Sequence, residues 1–306
     1  MIKILPILLF CRKKVVNLQP ENKTLIVMKH YLIIALSLLF SVALTAQEME
    51  EISWQEREAN IRQMFSEIDQ MEDNDAITRM ADSIQREMIE ILMYEDFPFD
   101  YEFDLLPNVG CVVSDDGLLY MYSWNVSLKD QNNTSQFYAL CYNKALGVTY
   151  VLAQGIPSVP SEKSKIADTE WYGAMYYKIT PIHVKDDIGY LLLGYAPIDN
   201  TRQYKVIDVM SVNKRGIKFG NNIFQKEDGK KYSRIVFQYG RDVQMSLEID
   251  KKKKKILFDH LVEIGQDENG QPIMGPDMSV DSFVLKKGMW IFKGDVDAKN
   301  PREKKK

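Results

Sequence analysis

The sequence predicts a mainly β protein with an N-terminal α-hairpin, in which an antiparallel β-meander forms a sandwich or a partly closed barrel. From Val109 onward, short runs rich in Val, Ile and Tyr are separated by turn residues, as at 115–117 (DDG), 213–216 (NKRG) and 227–229 (EDG). About a dozen runs recur every 8–12 residues, and no helical pattern alternates with them, which argues against a parallel α/β fold. An irregular propeller-like fold is the alternative, since blade-like pieces such as 114–120 lack the fixed period of about 40–50 residues of a regular propeller.

The composition is that of an ordinary globular chain. Of the 306 residues, 45% are hydrophobic and 27% are charged, with a formal net charge of −4. These fractions exclude wholesale disorder and a collagen-like or coiled-coil fibre.

The N-terminal region predicts export. Residues 31–43 form a nearly uncharged apolar run that follows a short basic stretch and ends near the small residue Ala46. This run is short for a membrane span, which needs about 20 residues. We therefore expect a signal peptide at 28–46, an over-extended start at 1–27, and a location in the periplasm, the outer envelope or outside the cell. An uncleaved N-terminal anchor is the alternative. No later segment predicts a membrane-spanning helix.

Residues 47–96 predict an acidic helical hairpin. Residues 48–104 carry 18 acidic residues against 4 arginines, whereas 105–306 carry 24 against 29 basic residues. Apolar residues recur at intervals of three and four, and Asp75 is expected to cap the second helix. The hairpin either docks another envelope protein or packs its stripes on each other and on the β region. The two stripes are Ile61, Met64, Phe65, Ile68 and Met71, then Ile77, Met80, Ala81, Ile84, Met88, Ile91 and Leu92.

Three further segments complete the chain. Residues 97–108 form an aromatic and acidic linker whose rings are expected to clamp it to the β domain at 109–298, and 299–306 form a basic tail. The strand pattern at 118–126 places apolar and aromatic residues on one face, so this face meets the core or lines a cavity. The five lysines at 251–255 are expected to form a solvated hairpin turn.

The residues for several chemistries are missing or scattered. His183 and His260 are the two histidines beyond the signal region, and no zinc-binding or Gly-x-Ser-x-Gly motif occurs, so we predict no metal, no cofactor and no identifiable catalytic residue. Strand neighbours face opposite sides, which separates His260 from Asp259.

Asp267, with Asp277 and Asp281 further on, does not match the EF-hand frame of a calcium loop. Paired carboxylates for glycoside hydrolysis stay open, because many acids are present. The cysteines Cys111 and Cys141 are either buried thiols or a disulfide.

Four aromatic residues are candidates for a ligand site. Trp124, Trp171, Tyr172 and Tyr176 are the candidate ligand-binding residues, because flat rings stack on sugars while nearby polar groups bind the hydroxyls. The alternative is that these rings belong to the core, where most tryptophans lie.

Five segments resemble an uncharacterised family of exported β-rich proteins from Bacteroidota. They are residues 117–125 (GLLYMYSWN), 171–179 (WYGAMYYKI), 190–194 (YLLLG), 256–260 (ILFDH) and 275–283 (GPDMSVDSF). The resemblance covers about residues 97–298 and implies export and a β-rich domain. It implies no activity and no site residues.

These observations favour a non-catalytic binding or accessory protein of the cell envelope, with a protein partner held through the acidic hairpin. Export argues against a nucleic-acid partner. The alternatives are a glycan-binding module and a carboxylate-based glycan-processing enzyme. A docking protein predicts an exposed stripe on the helices, a glycan module predicts an exposed aromatic row, and an enzyme predicts a cleft with two carboxylates about 5–10 Å apart.

Overall fold

A computed structural model describes residues 52–99, 101–130, 133–152, 159–184, 187–252 and 254–294. The predicted start and signal peptide at 1–46 and the basic tail at 299–306 lie outside the described residues. No helix within the described ranges is both long and apolar enough to cross a membrane.

The described residues form two α-helices, one short 3-10 helix at Asp168–Glu170 and sixteen strands. The helices are α1 (Trp54–Asp69) and α2 (Asn74–Met93). The strands are β1 (Gly110–Val113), β2 (Leu119–Ser127), β3 (Ser135–Asn143), β4 (Val148–Val151), β5 (Ile166–Ala167), β6 (Met175–Val184), β7 (Asp187–Pro197), β8 (Arg202–Asn213), β9 (Gly216–Phe219), β10 (Phe224–Gln225), β11 (Lys231–Tyr232), β12 (Ile235–Gly240), β13 (Leu247–Asp250), β14 (Lys255–Gln266), β15 (Pro272–Lys286) and β16 (Met289–Lys293).

The strands form three sheets. The first sheet has the order β1-β2-β3-β4, the second β5-β9-β8-β7-β6 with β12 also paired to β8, and the third β11-β10-β16-β15-β14-β13. All pairs are antiparallel except β10 with β16. The predicted class is confirmed, because the fold is mainly β, antiparallel and sandwich-like, and the sheets do not close into a barrel. The strand count exceeds the expected dozen partly because β5, β10 and β11 have only two residues each.

Both helices begin at side-chain caps. The Ser53 hydroxyl accepts a hydrogen bond from the backbone N–H of Glu56, whose carboxylate accepts in return from the Ser53 N–H. The cap of α2 is Asp73, which accepts from the N–H of Ala76 at 3.0 Å. The expectation that Asp75 caps this helix is wrong, because the cap lies two residues earlier. Asp75 lies inside the first turn, where the helix dipole still favours its negative charge.

The alternating side chains of β2 meet two different layers. Tyr120, Tyr122 and Trp124 pack against the helices, whereas Leu119 and Met121 pack against the second sheet. The second sheet repeats this arrangement, since Tyr190, Leu192, Tyr204 and Val206 face the first sheet while Leu191, Leu193, Ile207 and Val209 face the third. The order of layers is therefore helical hairpin, first sheet, second sheet and third sheet.

The apolar stripes of the hairpin are buried inside the protein. Ile61, Ile77 and Met88 have no exposed surface and share a cluster with Trp124 and Tyr138 of the first sheet. Of the two interpretations of the hairpin, the one in which the stripes pack on each other and on the β region is confirmed for the described helices. The one that requires an exposed docking stripe is wrong for them. A partner of the hairpin would have to contact its polar outer face.

The linker is clamped as predicted. Phe97 and Phe103 are buried, and the ring of Phe99 stacks on that of Tyr142 with centroids 4.0 Å apart. The buried carboxylate of Glu58 accepts hydrogen bonds from the Tyr101 hydroxyl and the Leu105 N–H. The linker thus packs on the first sheet and on α1 together.

Cys111 and Cys141 cannot form a disulfide with each other. Cys111 pairs with Tyr122 and Cys141 with Met121, and these two partners are neighbours on β2. Because residues opposite each other in a sheet share a face and strand neighbours do not, the two thiols lie on opposite faces of the first sheet. Both cysteines are free.

An ion pair lies deep in the second sheet. Asp208 of β8 accepts from Arg234 Nε at 2.8 Å, and both side chains are fully buried. The same carboxylate accepts from the Tyr172 hydroxyl at 2.9 Å and from the Val209 N–H at 2.7 Å. Burial raises the pKa of Asp208, and Arg234 together with these hydrogen bonds opposes that rise. A buried charge needs such a set of partners, because its desolvation is costly.

Arg234 also holds a connecting segment in place. Its Nη1 donates to the carbonyl oxygens of Ser161 at 2.6 Å and Ser164 at 3.0 Å. Between these residues, Glu162 accepts through its carbonyl from the Ser233 N–H and through its carboxylate from the Val236 N–H. Arg234, held by Asp208, therefore fixes residues 161–164 beside the start of β12.

Asp208→Asn is expected to lower the free energy of unfolding by about 3–5 kcal/mol, because Arg234 is left buried without a counter-charge. Urea denaturation followed by circular dichroism measures this change. Glu268→Gln, which neutralises an exposed acid in the β14–β15 turn, is the matched control and should leave stability unchanged. A cost of less than 1 kcal/mol for Asp208→Asn would contradict this account.

Asp115 joins all three sheets. This residue follows β1, and its carboxylate accepts from Lys178 at 2.8 Å and Thr180 at 2.7 Å on β6, and from Lys251 at the β13–β14 turn. Burial alone would raise the pKa of Asp115, but the hydrogen bonds from Lys178, Lys251 and Thr180 lower it to about 2. Of the lysines at 251–255 that were predicted to form a solvated hairpin turn, Lys251, Lys252 and Lys254 lie between β13 and β14, whereas Lys255 begins β14. Lys251 is turned onto the Asp115 carboxylate.

Asp115→Asn is expected to reduce stability at neutral pH by about 1–2 kcal/mol, a value discounted for the partly exposed lysines. A carboxyl with a lowered folded-state pKa stabilises the fold above its ordinary pKa of about 3.8, and this contribution is lost as the pH falls toward about 2. Urea melts at pH 7 and pH 2.5 should therefore differ less in the variant than in the parent. The exposed Glu248→Gln serves as the control, and an equal pH dependence in parent and Asp115→Asn would refute the assignment.

Candidate functional site

An open cleft lies between β12 and the third sheet. Its volume is about 390 Å³, enough for a ring-sized ligand. The lining combines an aromatic and aliphatic floor with a charged rim. The residues are Ile235, Val236, Phe237, Phe258, Leu261, Phe283 and Phe292 for the floor, and Lys226, Glu227, Asp228, Asp259, His260 and Asp281 for the rim.

Four phenylalanine rings form the floor. Phe237 and Phe258 have centroids 4.6 Å apart, Phe258 and Phe283 5.4 Å, and Phe283 and Phe292 5.7 Å. Phe258 and Phe283 are buried, whereas Phe237 and Phe292 are half-buried. The floor therefore presents ring surface to the cleft while its base belongs to the core.

Sheet register brings the floor and the rim to one face. Phe258 lies opposite Asp281, and Phe283 lies opposite Phe292. Residues opposite each other share a face, as do residues two apart on one strand. His260 is two residues beyond Phe258, and it therefore reaches the same cleft.

His260 and Asp281 form a pair at the rim. His260 Nδ1 lies 2.8 Å from Asp281 Oδ2, and the side chain of Asp281 is 7% exposed against 44% for His260. This hydrogen bond raises the pKa of His260 above its ordinary value, and the charges of Asp281, Asp277 and Glu227 add to the effect. The pair can bind a polar ligand group, or take up a proton at the exposed part of the imidazole.

A bulge in β15 brings Asp277 toward His260, and its charge contributes to the raised pKa of the imidazole. The β14–β15 register shifts between Asp259 and Leu261, whose partners are Val280 and Pro276. The extra residues of β15 protrude, and Met278 among them is 98% exposed with a φ of 73°. Asp259 and His260 do not pair, as predicted, but both line the cleft, so the expectation that they point to opposite sides is not met at this bulge. Asp259 accepts from the Ser246 N–H, and the partner of His260 is Asp281.

Glu227 and Asp281 converge beside Gly294. A Cβ placed on Gly294 would lie 3.6 Å from Asp281 Oδ1, 3.7 Å from Glu227 Oε1 and 3.4 Å from Phe292 Cε1. Lys226, the cation of the rim, is already paired with both carboxylate oxygens of Glu162, at 2.7 and 2.6 Å. The mouth of the cleft is therefore rich in negative charge.

The four predicted ligand-binding aromatics lie in the core. Trp124, Trp171, Tyr172 and Tyr176 are 0%, 3%, 5% and 3% exposed. The indole N–H of Trp171 donates to the Tyr176 hydroxyl, which donates to that of Tyr172, and Tyr172 donates to Asp208. Burial raises the pKa of Tyr172 well above its ordinary value, so its hydroxyl stays a donor. The expectation of an exposed aromatic row is wrong for these residues, because their rings complete the interior.

The remaining candidates are dispersed. His183 lies exposed on β6, and Asp267 accepts from the N–H groups of Asn269 and Gln271 within its own turn. Asp277 accepts from the hydroxyl and the N–H of Ser279. No cluster of three potential metal-ligating side chains occurs in the part of the chain that the structure describes.

Sequence reasoning missed the cleft as a unit. The alternations Phe258-x-His260 and Asp281-x-Phe283 each place an aromatic ring and a polar group on one strand face, which was a readable signal. The pairing of β14 with β15 across a bulge was not readable. Glu227 and Phe237 come from other strands and turns, and only the tertiary structure adds them.

Comparisons with known proteins add no relative: no family model, no curated protein and no solved structure matches this chain.

Asp281→Asn is expected to lower the pKa of His260 toward its ordinary value of about 6.5, because the charged acceptor is lost. Proton NMR of the imidazole C2–H signals, assigned with His260→Gln, measures this, and the signal of His183 is the internal reference. In the parent, protonated His260 stabilises the fold fully below about pH 6.5, and this contribution is lost as the pH rises through the folded-state pKa. An unchanged His260 titration in Asp281→Asn would rule out the pair.

Proposed function

We propose that this protein is an exported, envelope-associated binding or accessory protein, and that it holds a ligand with an apolar ring or chain in the cleft of β12 and the third sheet. The observation that carries the proposal is the phenylalanine floor below a charged rim. A mostly apolar concave site with a few convergent polar groups is the usual form of a small-ligand site.

The case for export comes from the sequence. The basic stretch, apolar run and small-residue junction at 28–46 form the pattern of a signal peptide. The resemblance of five β segments to exported proteins from Bacteroidota points the same way. A protein partner on the acidic outer face of the hairpin remains part of the proposal, although its apolar stripes are buried.

The chemistry of the rim favours binding over nucleophilic catalysis. A Ser-His-Asp arrangement needs a nucleophile within hydrogen-bond reach of the histidine. No serine, threonine or cysteine is among the described residues that line the cleft. His260 and Asp281 can therefore position a ligand or a water molecule, but they do not activate a side-chain nucleophile there.

A glycan-processing enzyme is the second candidate. The observation in its favour is the approach of Glu227 and Asp281 to the same space beside Gly294. Two carboxylates across a cleft are the requirement for glycoside hydrolysis. Asp281 is, however, bound to His260, and this pairing favours the binding role.

Addition of 2-phenylethanol to the full chain is expected to shift NMR signals of the cleft, because the ring finds an apolar surface. Phe292→Ala should weaken this binding about fivefold, since part of the ring contact is lost. Val148→Ala, at an exposed apolar residue of the first sheet, is the control and should bind as the parent does.

Two outcomes would contradict the binding proposal. One is the absence of shifts at the cleft with any apolar probe. The other is hydrolysis of aryl glycosides that is lost in both Glu227→Gln and Asp281→Asn, which would favour the enzyme instead.

A further inference from the structure

A second cavity lies between the second sheet and the segment that follows β12. Its volume is about 370 Å³, and it shares no lining residue with the cleft between β12 and the third sheet. We call it the basic pocket, because two cations and no carboxylate are among the described residues that line it. The lining residues are Tyr195, Gln203, Lys205, Tyr239, Arg241, Val243, Gln244 and Met245.

Sheet register puts four of these side chains on one face. Tyr195 of β7 lies opposite Lys205 of β8, and Gln203 of β8 lies opposite Tyr239 of β12. Residues opposite each other share a face, as do residues two apart on one strand. Two tyrosines, an amide and an ammonium group therefore extend from the same side of the second sheet.

Two of these side chains hold the segment after β12 in place. Gln203 Nε2 donates to the carbonyl oxygens of residues 240, 241 and 243 at 2.9, 3.1 and 2.9 Å. Gln203 Oε1 accepts from the Tyr195 hydroxyl at 2.9 Å, and Lys205 Nζ donates to the carbonyl oxygen of Met245. The segment that carries Arg241 is thus fixed before any ligand binds, which lowers the cost of ordering the site.

Lys205 is half-buried and contacts no carboxylate among the described residues. Its partners are the neutral carbonyl of Met245 and the face of the Tyr177 ring, whose centroid is 5.4 Å from Nζ. Burial lowers the pKa of Lys205, and the charge of Asp259 opposes this effect from outside ion-pair distance. An ammonium group has three donors, and Met245 occupies one of them. Lys205 can therefore donate to an anion in the pocket.

Tyr239 is buried, yet its hydroxyl has no protein partner. The residue is 3% exposed, and the hydroxyl makes no hydrogen bond with any residue that the structure describes. Its oxygen is open to the cavity, unlike the sealed hydroxyl of Tyr122. Burial, and then the neighbouring Tyr195 hydroxyl, raise the pKa of Tyr239, so the phenol keeps its proton and can donate. Buried hydroxyls are normally hydrogen-bonded, so an acceptor inside the basic pocket completes this one.

Arg241 adds a second cation at the rim. Its N–H donates to the Thr201 carbonyl at 2.8 Å, whereas its guanidinium makes no hydrogen bond or ion pair with a described residue. The neighbouring acid Asp242 is exposed and does not line the pocket. A guanidinium group binds phosphate through two parallel N–H···O bonds. Arg241 is therefore free to bind an anion from the open side.

We propose that the basic pocket binds a phosphate group, held by Lys205, Arg241 and the hydroxyl of Tyr239. These donors belong to three different parts of the chain: β8, the segment after β12, and β12 itself. A phosphate group offers three acceptor oxygens in different directions and nearly two negative charges, which match three donors and two cations. A carboxylate offers two oxygens in one plane. This site is additional to the cleft and does not rest on the function proposed for it.

A purely structural role explains only part of the arrangement. The bond from Lys205 to Met245 fixes the segment after β12, but it gives no partner to the Tyr239 hydroxyl or to the Arg241 guanidinium. Tyr239→Phe separates the two roles, because it keeps the buried ring and removes only an oxygen that has no protein partner.

Calorimetric titration of the full chain at pH 7.5 and low salt tests the proposal with three probes. They are inorganic phosphate, glycerol 3-phosphate and acetate, and NMR shifts at residues 239–245 locate the binding. We expect both phosphates to bind about tenfold more tightly than acetate, because they carry more charge and more acceptor oxygens. Tighter binding of glycerol 3-phosphate than of inorganic phosphate supports an organic phosphate as the ligand, and the reverse order supports free phosphate.

Three variants assign the donors. Tyr239→Phe should weaken phosphate binding about fivefold and leave the thermal midpoint of unfolding unchanged, since one hydrogen bond to the ligand is lost. Arg241→Gln and Lys205→Met should each weaken it about tenfold, because a charge-assisted bond is lost. Arg215→Gln, which removes an equal charge from the exposed β8–β9 turn, is the matched control and should bind as the parent does.

Three outcomes would overturn the proposal. The first is the absence of shifts at residues 239–245 with either phosphate. The second is acetate binding as tight as that of phosphate. The third is parental phosphate affinity in both Tyr239→Phe and Arg241→Gln, which would mean that water completes the pocket and that phosphate binds only to surface charge. None of these results touches the cleft, whose binding of 2-phenylethanol is measured at a separate set of residues.

Discussion

The ion pair between Asp208 and Arg234 is the interaction on which the cleft depends. Arg234 immediately precedes β12, which forms one wall of the cleft, and its guanidinium fixes the carbonyl groups at 161 and 164. From that segment, Glu162 binds the backbone of β12 and the side chain of Lys226. A fully buried guanidinium without its carboxylate would carry a large desolvation penalty. Arg234 therefore stays paired with Asp208, and residues 161–164 are held against the start of β12. The wall of the binding site is thus positioned by charge pairing in the sheet behind it.

The layered architecture determines where a ligand site can exist. The first and second sheets are each covered on both faces, the first by the helical hairpin and the second sheet, and the second by its two neighbours. The space between the first and second sheets is filled with buried side chains. The third sheet is the last layer, and its ladder is interrupted by register shifts in β14–β15. A cleft with exposed ring surface therefore opens there, where close packing between two regular sheets comes to an end.

Much of the architecture was readable before the structure. Helical spacing at Ile61, Phe65 and Ile68 predicted α1, and alternation along β2 predicted a core-facing strand. Short-range patterns of this kind depend on local geometry, with a period of 3.6 in a helix and of 2 in a strand. The sequence pattern predicts Asp75 as the cap of α2, whereas the cap is Asp73. Both acids suit a helix start, and only the position of the side chain relative to the free N–H groups decides between them. The layer that covers each face was not readable, since both faces of β2 are apolar or small.

The sequence by itself determined the class of fold, the acidic hairpin, the clamp of the linker and the absence of familiar catalytic motifs, because these follow from composition and from neighbours along the chain. Tertiary structure alone decided the site. It buried Trp171, Tyr172 and Tyr176 in a hydrogen-bonded chain to Asp208, and it paired His260 with Asp281, which lies 21 residues away in the sequence. Pairing register and bulges set which distant side chains meet, and they result from the packing of whole layers. The residue types of a ligand site can be read from a sequence of this kind, but which of these residues lie close together is decided by the folded chain.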